Sequence, residues 1–112
     1  MPAVTPLEPT TPIKPSEAIR LGCLIAPVQI FNDGYVDGAG GACGVGAGVL
    51  GMGWDASRHF GRFGRFEMLL DGLPPVCPVA GCEFEEGNIV HLNDDHRWSR
   101  ERIADWLADQ GL

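Results

Sequence analysis

The sequence predicts a small α+β single domain of short helices and hairpins, and three observations carry that expectation. At 112 residues the chain suits one domain with one modest core, burying roughly two thirds of the surface its unfolded form exposes. Two stretches, from Glu17 and from Arg100, combine helix caps with helical apolar spacing, whereas the β-favouring runs between them are only a few residues long. Sixteen glycines and nine prolines weaken regular structure, so an external staple is expected to support the fold. The chain divides into an arm over 1–15, a glycine-rich helical and hairpin core over 16–76, and a C-terminal unit over 77–112.

Within the arm, Pro2, Pro6, Pro9, Pro12 and Pro15 hold the backbone extended in polyproline II form, suited to lying along a protein partner. Ser16 then reads as a helix N-cap, with Glu17 in an acidic first turn and Ala18, Leu21, Gly22 and Ile25 on the inner face. Pro27 ends that helix by disfavouring helical geometry at Ala26. Val28–Phe31 and Tyr35–Val36 flank Asn32-Asp33-Gly34, which predicts a small hairpin with glycine supplying a positive φ.

Gly46-Ala-Gly48-Val-Leu-Gly51 has the form G-x-G-x-x-G, but that pattern cradles phosphate only between a strand and a helix in a βαβ unit, which the rest of the chain is too short to build. The segment reads instead as a tightly packed helix with Cys43, Ala47 and Leu50 on one face. Each interior glycine costs about 0.8 to 1 kcal/mol relative to alanine, so tertiary packing must hold this helix. Cys43 falls at its N-terminus, where the helix dipole lowers a thiol pKa. With His91 or His59 as base, a Cys–His hydrolase can be drawn; the plainer reading makes Cys43 and Cys23 small buried apolar residues.

Phe60, Phe63 and Phe66 recur every third residue among Arg58, Arg62 and Arg65. Together with Arg97 and Arg100, these arginines are candidate nucleic-acid or partner contacts, since a cationic aromatic strip stacks bases and neutralises phosphates. Against that stands a formal charge of −7, and phenylalanines facing a core explain the same pattern. Glu67–Leu70 continues as a short apolar element, closed by the turn Asp71–Pro75.

The C-terminal unit carries the sharpest chemistry. Cys77, Cys82, His91 and His96 are spaced C-x4-C-x8-H-x4-H, four soft or borderline donors within twenty residues, as a tetrahedral zinc ion requires. A structural Zn2+ held by all four is the leading reading, because four protein donors leave no open position for a reacting water. Three of them with a neighbouring carboxylate, a Cys77–Cys82 disulfide or free thiols, and a polar His91–His96 pair beside Asp94 and Asp95 stand as alternatives. Glu83–Val90 is expected to form a return strand that puts His91 at its end and His96 on the following turn. Trp98 and Ile103 occupy hydrophobic-staple positions around Ser99 as N-cap; the final helix then buries Ile103, Trp106 and Leu107 and stops at Gly111.

This knuckle, strand, turn and helix order resembles the ββα zinc finger of the C2H2 class over residues 77–108. In that class about twelve residues separate cysteine from histidine and both histidines lie on the helix. Here eight intervene, so that family's DNA-reading positions do not carry over. The run from His91 to Trp106, HLNDDHRWSRERIADW, also resembles the C-terminal signature of small uncharacterised proteins encoded by tailed phages and bacteria. Ser16–Gly22 shares that likeness more faintly. The resemblance implies a phage or mobile-element setting and no particular activity.

The expected function is a non-enzymatic, zinc-stabilised accessory or structural protein within an oligomer or larger assembly, such as a phage particle. A nucleic-acid-binding regulator and a Cys–His hydrolase are the alternatives. No leader with a basic and then an apolar region is evident, and the glycine-rich run Gly38–Trp54 is too short and weakly apolar to span a membrane. The host cytoplasm or a phage virion is therefore the expected location.

Overall fold

The computed structural model describes residues 13–31, 34–54, 61–70, 73, 77–82 and 89–112. Along these the elements are α1 (Pro15–Ile25), β1 (Val28–Gln29), β2 (Gly41–Ala42), α2 (Gly44–Gly51), α3 (Gly61–Met68), α4 (Ile89–Asp94) and α5 (Arg100–Asp109). The α+β class is therefore observed, with helices dominant and one two-stranded sheet among the described residues. Arm residues 1–12, Arg58, His59, Phe60, the turn residues Asp71, Gly72, Pro74 and Pro75, and Glu83–Asn88 of the expected return strand lie outside this description.

The glycine-rich segment becomes the centre of the molecule. Helix α2 is apolar all round, which suits a helix surrounded by protein, and Gly44 through Val49 are buried. Cys43 caps it: the Gly46 N–H donates to Cys43 Sγ at 3.4 Å. Helices α1 and α2 run antiparallel in backbone contact through matched small pairs. A Cβ on Gly22 would overlap the Ala47 carbonyl, and a Cβ on Gly51 would overlap the Ala18 carbonyl. On another face Gly48 receives the edge of the Phe66 ring from α3.

Three local expectations change. Lys14 rather than Ser16 is the N-cap of α1, so the helix starts two residues earlier than expected, at Pro15, and Ile13 packs against the core. Ser16 is buried for another reason: its N–H and hydroxyl both donate to the Leu112 carbonyl, at 3.1 and 2.9 Å. The inner face of α1 is Ala18, Ile19 and Gly22, while Leu21 and Ile25 are exposed, because backbone contact with α2 leaves no room for a leucine. The expected hairpin is replaced by a parallel pair, Val28 opposite Gly41 and Gln29 opposite Ala42, with Val36 bridging Ala42 from the other side. Asp37 shapes the loop into β2 by accepting from the Ala39 and Gly41 N–H groups, both at 2.8 Å.

Helix α5 forms where expected, although Trp106, expected to be buried, is only half-buried. Ser99 Oγ accepts from the Arg102 N–H at 3.1 Å, Ile103, Ala104 and Leu107 are buried, and Gly111 takes φ 84° just beyond the end. Its first residue, Arg100, turns inward and is almost wholly buried. The guanidinium donates to the carbonyls of Ala26 (2.6 Å), Pro27 (2.9 Å) and Ala42 (3.3 Å), so one positive charge closes the C-terminal end of α1 and the end of β2. No helix among the described residues is long and apolar enough to cross a membrane.

Candidate metal centre

The donor atoms of Cys77, Cys82, His91 and His96 all lie within 4.8 Å of one another and can hold a metal ion. Cys77 Sγ is 3.3 Å from His96 Nε2, and Cys82 Sγ is 3.5 Å from His91 Nε2. The imidazoles meet edge to face, centroids 4.7 Å apart.

Two short pieces of backbone bring these donors together. In the first, the chain between the cysteines folds back through a turn in which the Cys82 N–H donates to the Val79 carbonyl at 3.1 Å. Gly81 occupies the third position of that turn at φ 84°, a conformation that glycine adopts without a Cβ clash. In the second, His91 lies within α4 rather than at the end of a strand. Residues Ile89 and Leu92, three apart, both point into the core, and that burial favours helix over the strand that Ile89-Val90-His91-Leu92 suggests locally. After α4 the His96 N–H donates back to the His91 carbonyl at 3.3 Å, which turns His96 toward the cysteines, and Arg97 takes φ 53° as the chain leaves for α5.

The helix is keyed to the rest of the fold by Asn93, which is fully buried. Its Oδ1 accepts from Gln29 Nε2 at 2.8 Å and from the Gly44 N–H at 3.1 Å, and its Nδ2 donates to the Ile30 carbonyl at 2.9 Å. Gln29 Nε2 also donates to the Trp98 carbonyl at 2.8 Å. One asparagine thus joins the donor-bearing helix to β1 and to the N-terminus of α2. Sequence reading missed it, although a single amide two residues from His91 and on the core side of a helical register was the available signal.

The site's electrostatics follow from its contacts. Burial pushes the Cys77 thiol up, partly offset by the Val79 N–H directed at its sulfur. Burial alone would lower His91, but hydrogen bonds to Cys82 and Asp95 outweigh it and hold the imidazole above its ordinary value. His91 Nδ1 lies 2.7 Å from Asp95 Oδ2.

Of the arginines expected as contacts, three have described side chains, Arg65, Arg97 and Arg100. Arg65 stacks on Trp54 at 4.8 Å and Arg97 on Phe31 at 4.6 Å. Arg100 is withdrawn from any partner by its burial against the three carbonyls described above, which corrects that expectation. Arg58 and the Arg62 side chain lie outside the described residues. Phe63 and Phe66 are buried, so at these two positions the Phe-Gly-Arg repeat serves the core. Cys43 is buried too, and desolvation raises its pKa, opposite to what a nucleophilic thiolate needs.

No family model, curated protein or solved structure matches the chain.

Proposed function

We propose that the protein is a non-enzymatic, zinc-stabilised accessory or structural protein that works by binding within a larger assembly. The observation that carries the metal part is the spacing of the donors. Zinc with sulfur at about 2.3 Å and imidazole nitrogen at about 2.0 Å needs S···N edges of about 3.5 Å at the tetrahedral angle. The two sulfur–nitrogen separations, 3.3 and 3.5 Å, are close to that edge. Two thiolates and two imidazoles form a closed set for a borderline ion, with a fixing rather than a catalytic role.

The metal would pin the Cys77–Cys82 turn to α4 and hold α5 through the short connection that follows His96. Removing it should therefore loosen these elements first. Chelation is expected to shift the indole NMR signals of Trp98 and Trp106, with recovery on adding zinc back. Unchanged signals after metal is demonstrably stripped would sink a stabilising role.

The assembly part rests on the proline-rich arm, and the phage setting on the resemblance of residues 91–106. Deleting residues 1–15 removes Pro15 from α1 as well, so the test deletes residues 1–12. Loss of association with the fold retained is the expected result. A monomeric wild type whose arm is dispensable for every association would end this part while leaving the metal reading intact.

A further inference from the structure

Among the described residues around the four donors, Asp95 is the carboxylate that faces one of them, His91. We propose that Asp95 is a positioning residue for the metal centre, fixing the tautomer and orientation of His91 so that Nε2 is the coordinating atom. The inference rests on the zinc reading above and adds a fifth residue to it.

The geometry is specific. His91 offers two nitrogens that face different partners: Nε2 faces Cys82 Sγ at 3.5 Å and Nδ1 faces Asp95 Oδ2 at 2.7 Å. An ionised carboxylate only accepts, so the ring must carry its proton on Nδ1 and leave the Nε2 lone pair for the ion. The four-residue spacing brings the carboxylate back beside the ring at the end of α4, where the Asp95 N–H donates to the His91 carbonyl at 2.9 Å. Asp94, the other carboxylate that follows Asn93, accepts through Oδ1 from Asn93 Nδ2 at 2.7 Å.

Asp95 is also well placed for a clean test. Its side chain is 61% exposed whereas that of His91 is only 7% exposed, so replacing the carboxylate leaves the core untouched. A hydrogen-bonded carboxylate raises the basicity of a metal-bound imidazole and removes the freedom of the ring to flip, and its loss typically weakens metal binding 10- to 100-fold, by about that factor in Kd.

The experiment compares wild type, Asp95→Ala, Asp95→Asn and Asp94→Ala by zinc titration against a competing chromophoric chelator at fixed pH. Long-range 15N–1H NMR of the histidine rings is recorded on the zinc-loaded proteins. Asp95→Ala is expected to weaken zinc about 10- to 100-fold and to lose the slowly exchanging Nδ1 proton of His91, whereas wild type shows Nδ1–H with Nε2 bound. Asp95→Asn, which keeps an acceptor but not the charge, is expected to fall between the two, and Asp94→Ala to retain near wild-type affinity. Wild-type zinc affinity and an unchanged His91 tautomer in Asp95→Ala would overturn the assignment. Failure of the wild type itself to bind zinc would instead overturn the metal reading on which it rests.

Discussion

The packing of α1 on α2 predicts opposite effects from one chemical change at two helical glycines. Gly22→Ala and Gly64→Ala each add a single methyl group, and in an isolated helix each would be favourable by about 0.8 to 1 kcal/mol. At Gly64 the new Cβ meets nothing within 4 Å, so that gain should appear nearly in full. At Gly22 the Cβ overlaps the carbonyl of Ala47, a backbone atom in the middle of a buried helix that cannot turn aside as a side chain can. Relief requires the two helices to separate, and overpacking of this kind typically costs about 1 to 3 kcal/mol beyond the propensity gain. The same separation would open the Ala18–Gly51 contact, which lifts the expected cost above the lower end of that range. Chemical denaturation of the metal-loaded protein, monitored by circular dichroism, should show Gly64→Ala stabilised by up to about 1 kcal/mol and Gly22→Ala destabilised by about 2 kcal/mol. If Gly22→Ala proves as stabilising as Gly64→Ala, the backbone-contact account of the α1–α2 pair is wrong.

Other parts of the fold make independent predictions. Arg100→Met keeps the bulk of the side chain but strands the carbonyls of Ala26, Pro27 and Ala42, and a loss of roughly 3 kcal/mol in unfolding free energy is expected. Asn93→Ala breaks the junction of α4 with Gln29, Ile30 and Gly44, and hydrogen exchange should quicken in both α2 and α4 rather than in α4 alone. Zinc affinity should fall as pH falls. The raised pKa values of Cys77 and His91 mean that the metal-free site holds its protons more tightly than free side chains do, and zinc must displace them. Each displaced proton contributes about tenfold in affinity per pH unit below the relevant pKa, so chelator competition at pH 6, 7 and 8 should give progressively tighter binding.

Much of the C-terminal third was legible in the sequence because its determinants are local. The Ser99 cap, the apolar spacing of Ile103 and Leu107 and the Gly111 stop all act within a few residues of each other, and the donor spacing identified the quartet before any geometry was known. Cys43 at the start of α2 and Pro27 after α1 were readable for the same reason. Illegible features were those decided by distant neighbours. Val28 and Gln29 pair with Gly41 and Ala42 rather than with the nearer Tyr35 and Val36, because the glycine-rich loop ordered by Asp37 lets that backbone approach. Ile89-Val90-His91-Leu92 favours a strand on propensity but is helical because Ile89, Leu92 and Asn93 share one buried face. The sequence placed both Asp94 and Asp95 beside the histidines, and only the helical register of His91, four residues before Asp95, decides which of them faces the ring.

Native mass spectrometry of the purified protein, with Cys77→Ser alongside, tests the central claim most directly. The account predicts one zinc ion per chain in the wild type and loss of that ion, or a large drop in its occupancy, in the variant. A wild type that carries no metal after purification and takes up none when zinc is supplied under reducing conditions would contradict it.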